Sequence, residues 1–415
     1  MTAAAANPPA GPLRVLVLAP HAFYIDRGTP IDVDILVRAI TARSHTVDLL
    51  VYDEGEGRDY AGLTIERAGA PKWLGHIGPG FSVKKLVADV FMFWRAIGLV
   101  RKHDYDLVHA GEESVFMAMA IKLFFGIPYA YDMDSSIAQQ MVEKMPWLHP
   151  VAGVFNWFEA RAIRGAIACS PVCNALGDLA RERGAKHIEV LHDISQIDPD
   201  VPTDPAGVRK KHAIFDPIFM YVGNLETYQG VGLLLEGLAH ARADGVGAHV
   251  VVAGGSDAHI EKYKTKAADL NVHDHVTFVG RWPVEDLGAL LAEADVLVAP
   301  RTRGINTPQK IFPYMHSGKA VLLTKLPTHT QLLDGSEACL AEATPEAFGR
   351  AIGELAADPG LRAKLGKAGR AFVEKNHTYP AHQARVDALY AYIAWQLGAN
   401  NTDAAHVTPA GESTR

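Results

Sequence analysis

Short runs of consecutive apolar residues alternate along the chain with longer stretches in which apolar positions recur every three or four residues. The runs fit strands buried on both faces and the stretches fit amphipathic helices, so the repeat predicts parallel α/β sheets. The first run, 14–19, leads into a loop from Pro20 to Thr29 and a helix from Pro30, with Thr29 as N-cap and Pro30 suited to the first turn. Further strands are predicted at 46–52, 106–109, 129–132, 166–169 and 188–191. Residues 197–216 break the repeat: Pro199, Pro202 and Pro205 stand among charged residues, which reads as a linker. A second series predicts strands at 218–222, 249–253, 276–279, 296–299 and 320–324, and a last helix at about 381–397, after Pro380. The fold class is therefore α/β, with two Rossmann-like, doubly wound domains at 13–196 and 217–378. The segment 379–398 is expected to pack back toward the first domain, and 1–12 and 399–415 to be disordered.

Composition narrows the class. The chain has 415 residues, 48% of them hydrophobic and 21% charged, enough to bury two cores without disulfides or metals. A net charge of −7 argues against a protein that coats nucleic acid, which needs a basic surface. The three cysteines cannot pair completely, and a reduced, cytoplasmic compartment fits best. No apolar run reaches the ~18 residues of a membrane span, and the start lacks the basic region of a signal peptide.

Ligands of open parallel sheets bind beyond the carboxyl ends of the strands, and with two such domains the cleft between them is the expected site. The loop Gly223-Asn224-Leu-Glu226-Thr-Tyr-Gln229-Gly230 lies between a strand and a helix. Its free backbone N–H groups and the helix dipole suit an anion, although an ordinary βα turn uses glycines in the same way. The segment from Arg301 through Arg303, Thr307, Gln309 and Lys310 follows another strand. Thr307 is expected to cap a helix with Pro308 at its first position, which puts Lys310 against the macrodipole unless an anion is bound. His109, Glu112 and Glu113 follow one strand of the first domain, and Asp132 and Asp134 another. Asp134, with Ser135 and Ser136 after it, equally fits a helix cap, and no spacing here specifies a metal site. Residues 82–102 form an amphipathic pattern with Lys84, Lys85, Arg95, Arg101 and Lys102 against the single acid Asp89. That is either a helix for an anionic membrane surface or a core-facing helix with a solvated basic side.

The landmarks Gly223–Gly230, Val251–Ser256, Val276–Gly280, Ala294–Pro300 and Tyr314–Val321, in this order and spacing, resemble a family 4 glycosyltransferase of GT-B architecture. The resemblance implies two Rossmann-like domains facing a central cleft and transfer of a sugar, with retention, from a UDP- or GDP-linked nucleotide sugar. The acceptor hydroxyl would belong to a glycan, a lipid or a small molecule, and no metal is required. It places the donor on Gly223, Asn224, Glu226, Gln229, Gly230, Arg301, Arg303, Thr307 and Gln309, with Lys310 stabilising the leaving phosphate. Asp134 and His109 become the catalytic candidates of the acceptor side, and Gly28, Thr29 and Glu112 its loop residues. The leaving phosphate itself would help to deprotonate the acceptor. Three positions depart from the family pattern: Asn224 stands where an Arg is usual, Gln229 where a Lys is usual, and Pro313 where a ribose-binding Glu is usual. These departures keep open a non-catalytic protein that binds nucleotide or supports a partner, and the shared architecture keeps open a nucleotide-sugar 2-epimerase.

Overall fold

The computed structural model describes residues 11–25, 28–78, 82–144, 146–198, 200 and 204–405. The chain divides into two compact units, Met1–His192 with His382–Arg415, and Asp193–Ala381.

Unit 1 is built on six strands, β1 (Arg14–Leu18), β2 (Thr46–Val51), β3 (Leu63–Arg67), β4 (Leu107–Gly111), β5 (Tyr129–Met133) and β6 (Cys169–Pro171). They pair in parallel in the order β3-β2-β1-β4-β5-β6. Its first six helices are α1 (Gly28–Thr41), α2 (Val83–Lys102), α3 (Val115–Phe125), α4 (Ile137–Lys144), α5 (Ala152–Gly165) and α6 (Asn174–Glu182). Alternation along β1 explains the layers: Leu16 and Leu18 pack with α2, α3 and α5, while Val15 and Val17 pack on the other face. That other face is covered by α1 and by the long C-terminal helix, Tyr379–Ala405, through Val386, Leu389, Tyr390 and Ile393 at helical spacing.

Unit 2 repeats the plan. After a short helix, α7 (Val208–Lys211), come strands β7 (Ile218–Val222), β8 (His249–Ala253), β9 (Val276–Gly280), β10 (Val296–Ala299), β11 (Ala320–Thr324) and β12 (Cys339–Ala341). Their order is β12-β11-β10-β7-β8-β9. The remaining helices are α8 (Val231–Ala243), α9 (Asp257–Asp269), α10 (Leu287–Ala292), α11 (Ile311–His316), α12 (Pro327–Thr330), α13 (Pro345–Ala357) and α14 (Pro359–Asn376). The C-terminal helix is α15. Strands β7 and β10 are neighbours whose following connections leave in opposite directions across the sheet, which is the switch point where such sheets bind ligands.

Several expectations change. Helix α1 begins at Gly28, so Thr29 lies inside its first turn and does not cap it. The strand expected at 166–169 is displaced to β6, and the one at 188–191 is reduced to a single bridge between Ile188 and Cys169. The short edge strands β3 and β12 carry little of the apolar signal that marks buried strands. The end of the expected linker is docked on unit 2: backbone N–H groups of Gly207, Val208 and Arg209 donate to the Glu293 carboxylate, and Arg209 pairs with Asp295. Helix α15 continues to Ala405, into the tail expected to be disordered. The disorder expected at 1–10 and 406–415 falls outside the described residues.

Candidate functional site

In unit 2 the loops after β7 and β10 lie side by side. Thr302 donates its backbone N–H to Tyr228 O at 2.9 Å, tying them together. Gly230 has φ +79°, and a Cβ there would collide with the Pro300 carbonyl oxygen. Gly254 has φ +107°, and a Cβ there would strike Gly223 O. These positions demand glycine both for conformation and for space. Gly230 is the N-cap of α8 and offers no side chain, so the first-turn N–H groups of a 13-residue helix lack a side-chain cap.

Lys310 closes this loop from the other side. Its Nζ donates to Tyr221 Oη at 2.7 Å and to Gln229 Oε1 at 3.3 Å, and it lies against the backbone of Gly223, where a Cβ would collide with it. Tyr221 in turn donates to Asn224 O, and Tyr314 Oη bonds both the N–H and the carbonyl of Val222. No carboxylate among the described residues pairs with Lys310. Burial, with the Arg301 guanidinium nearby, pushes its pKa well below the usual lysine range. Arg301 donates to Asn306 O at 2.8 Å and lies 5.2 Å from the Tyr228 ring centre. Two buried polar atoms nearby have no hydrogen-bond partner among the described residues, Thr307 Oγ1 and His329 Nε2. His329 Nδ1 sits 2.7 Å from Thr324 O, so Nδ1 carries the proton and Nε2 presents a lone pair. Burial, assisted by Arg301 and Lys310, lowers the pKa of His329 to about 4.

The second segment differs locally from its sequence reading. Turns at 308–310 precede α11, which starts at Ile311 with Lys310 as its N-cap residue. Thr307 therefore caps nothing, and its hydroxyl is left facing inward.

In unit 1 the carboxyl ends of β4 and β5 gather acids. Lys85 pairs with Glu113 and lies 3.5 Å from Glu112, whose backbone holds φ +47°. Burial, with Glu112 beside it, pushes the Glu113 carboxyl up to about 7. Asp132 accepts from Ser170 Oγ at 3.0 Å, and burial pushes it up to about 7 as well. The cap expected of Asp134 is supplied by Ser136, whose Oγ accepts from Gln139 N while Glu159 accepts from Ser136 Oγ and Ile137 N. His109 is a core residue: it is 1% exposed, its Nδ1 lies 2.9 Å from Tyr390 Oη, and the two rings stack at 6.0 Å. The structure thus corrects its placement at the open edge of the sheet.

Two family models match the chain in order. The model described as "Glycosyl transferase 4-like domain" matches residues 28–192, and "Glycosyl transferases group 1" matches 216–358. The chain belongs to the family 4 glycosyltransferases. A GDP-mannose-dependent alpha-(1-6)-phosphatidylinositol monomannoside mannosyltransferase of Mycolicibacterium smegmatis is 28% identical over 213 residues, 49% of this chain and 55% of the relative. The match spans about half the length of this curated relative. Two GT-B structures share its fold: sucrose-phosphate synthase from Thermosynechococcus elongatus (TM-score 0.74, 19% identity, 94% of this chain and 100% of that one) and Anabaena HepE in complex with UDP-glucose (0.68, 13%, 91% and 99%).

Of the donor residues that the sequence assigns to this family member, the structure brings Gly223, Gln229, Gly230 and Lys310 together, with Arg301 and Thr307 beside them. Asn224, Glu226 and Arg303 are exposed, and Gln309 is half-buried. Gly28, Thr29 and Glu112 lie at the carboxyl edge of the unit 1 sheet. Three residues carry weight that the sequence did not assign: Tyr221, which orients Lys310; His329; and Lys262 of α9, whose Nζ lies 3.3 Å from Thr227 Oγ1 in the first loop; Asp132, which the sequence offered beside Asp134 without a role, joins them. For Lys262 there was a usable signal, a lysine-rich helix directly after the Gly254-Gly255 turn.

Proposed function

We propose that this protein transfers a sugar from a nucleoside-diphosphate sugar to an acceptor hydroxyl, with retention. One observation carries the reading: Lys310, which pairs with no carboxylate among the described residues, is set against Gly223 and Gln229 beside the uncapped start of α8. A half-buried ammonium in that setting is stabilised by an anion, and a diphosphate is an anion of the right size for a helix start plus one cation. Lys310 then neutralises charge that grows on the leaving diphosphate. Lys262 supplies a further cation at the loop where Asn224 and Gln229 carry none. The names of the relatives make GDP-mannose and UDP-glucose the first donors to test.

The acceptor hydroxyl is assigned to the unit 1 sheet edge at Asp132, Asp134 and Glu112. Asp132, with its pKa raised to about 7, is suited to exchanging a proton near neutrality. The relative's acceptor is a phosphatidylinositol mannoside, which supports a lipid-linked acceptor here. With such an acceptor, the basic amphipathic segment 82–102 is assigned to peripheral contact with an anionic membrane on the cytoplasmic side. Calorimetric titration with UDP, GDP, GDP-mannose and UDP-glucose tests the donor reading. Selective binding that Lys310→Ala weakens supports it; absence of binding by folded protein selects the non-catalytic alternative.

A further inference from the structure

The outer face of α2, α3 and α5 is unlike the rest of the surface. These helices form one layer on the unit 1 sheet, burying Ala88, Met92, Ala118, Ile121, Ala162 and Ile163 beneath them. Their opposite sides expose large apolar groups. On α2, Leu86, Val90 and Trp94 are spaced four apart, each about half a turn away from the buried Ala88 and Met92. Trp94 is 65% exposed, Leu123 and Phe124 at the end of α3 are 78% and 72% exposed, and Trp157 on α5 is 52% exposed. No helix among the described residues is long and apolar enough to cross a membrane.

The charges of this layer have one sign. Its acids are Asp89 and Glu159, and both turn inward: Asp89 accepts from Tyr52 Oη, and Glu159 is fully buried against Arg183. Lys84, Arg101, Lys102, Lys122, Arg161 and Arg164 are exposed, on a chain whose net charge is −7. The Arg161 guanidinium lies 5.2 Å from the Trp157 ring centre, and Trp157 packs edge-on to Phe158 at 4.9 Å.

We propose that the outer face of all three helices, α5 as much as α2, docks on an anionic phospholipid bilayer. Trp94 and Trp157 sit at headgroup depth, and the six basic groups lie over lipid phosphates. Two copies meeting through this face would oppose like charges, which favours phospholipid over self-association. The inference rests on the membrane contact proposed above and extends it from one helix to a surface.

The test uses the full chain with vesicles of phosphatidylglycerol and phosphatidylcholine in equal parts, and with phosphatidylcholine alone. Flotation with the first only, diminishing with salt, is expected, together with quenching of tryptophan fluorescence by brominated lipid. Trp157→Ser with Phe158→Ser, and separately Arg161→Glu with Arg164→Glu, each weaken partition by about tenfold or more. Lys325→Glu, on unit 2, leaves it unchanged. The proposal is overturned if both α5 variants float as the parent does, if the parent ignores both vesicles, or if sedimentation shows pairs of chains that the α5 variants dissolve. Nucleotide titration of the same proteins separates the two readings: vesicle binding without donor binding leaves the docking surface standing and removes the transferase.

Discussion

The ammonium of Lys310 lies 2.7 Å from the phenolic oxygen of Tyr221 and 4.0 Å from the centre of its ring. One aromatic residue therefore supplies both an acceptor and a π face to a cation that has no carboxylate partner among the described residues. Such a group is held in place but not neutralised. Lys310→Ala is expected to weaken diphosphate binding by about 1.5–3 kcal/mol, the range for a hydrogen bond to a charged group. Calorimetry with UDP or GDP gives the number, and an unchanged dissociation constant removes Lys310 from the donor site.

The lowered pKa of Lys310 also sets a pH dependence. The folded state releases this proton more readily than the unfolded state, so unfolded chains bind more protons between the lowered value and the usual lysine range. Stability from this group accordingly rises with pH across that window. Urea unfolding across alkaline pH should show a shallower rise for Lys310→Met. Diphosphate binding above the lowered pKa should take up a proton, measurable as a buffer-dependent heat.

Gly230 and Gly245 have nearly the same φ, +79° and +80°, but only Gly230 is closed in by the Pro300 carbonyl. Gly245→Ala should cost about 1 kcal/mol from conformation alone. Gly230→Ala should cost more than about 2 kcal/mol and abolish donor binding, because the two loops must separate. Thermal unfolding and nucleotide titration of the pair provide the comparison.

Glu159 holds Arg183, Ser136 Oγ and Ile137 N–H at once, with no exposure of its own. Glu159→Ala leaves an uncompensated guanidinium and a helix start without its acceptor, a loss of about 3–5 kcal/mol in urea unfolding. The exposed pair of Asp178 with Arg181 should matter by less than about 1 kcal/mol.

His109 titrates at about 4 because burial disfavours its charged form. Unfolded chains take up this proton at higher pH, so its contribution to stability is complete above about 6.5 and declines as pH falls toward 4. His109→Phe should flatten that decline in unfolding measured through the acid range, while losing the bond to Tyr390.

The strand–helix alternation and the order of the loops were legible because buried parallel strands are apolar on both faces. What sequence shows poorly is direction. Lys84 and Lys85 are neighbours and read alike, but a helical step of about 100° sends Lys84 to solvent and Lys85 between Glu112 and Glu113. Reversing Lys85 would therefore test the fold and not the basic face. His109 has the same difficulty: its partner Tyr390 is 281 residues away, and no local pattern reports it. The capping role shifted from Asp134 to Ser136 because Glu159, brought by α5, completes the second site. At Thr307, Pro308 satisfied the rule for a first helical residue, yet the chain makes another turn before α11 begins. The glycine loop after β7 was the best-marked part of the candidate site, since its glycines are required by collisions that only glycine avoids.

Helix α15 seals a sheet whose first strand begins at Arg14, using Val386, Leu389, Tyr390 and Ile393. Synthesis thus delivers the two halves in inverted order. Asp193–Ala381 is complete and free to fold while the half made first still shows an oily sheet face to solvent. Domains made first ordinarily fold first. Here unit 1 waits for α15, and a ribosome stalled near position 380 would display a finished unit 2 joined to an aggregation-prone unit 1.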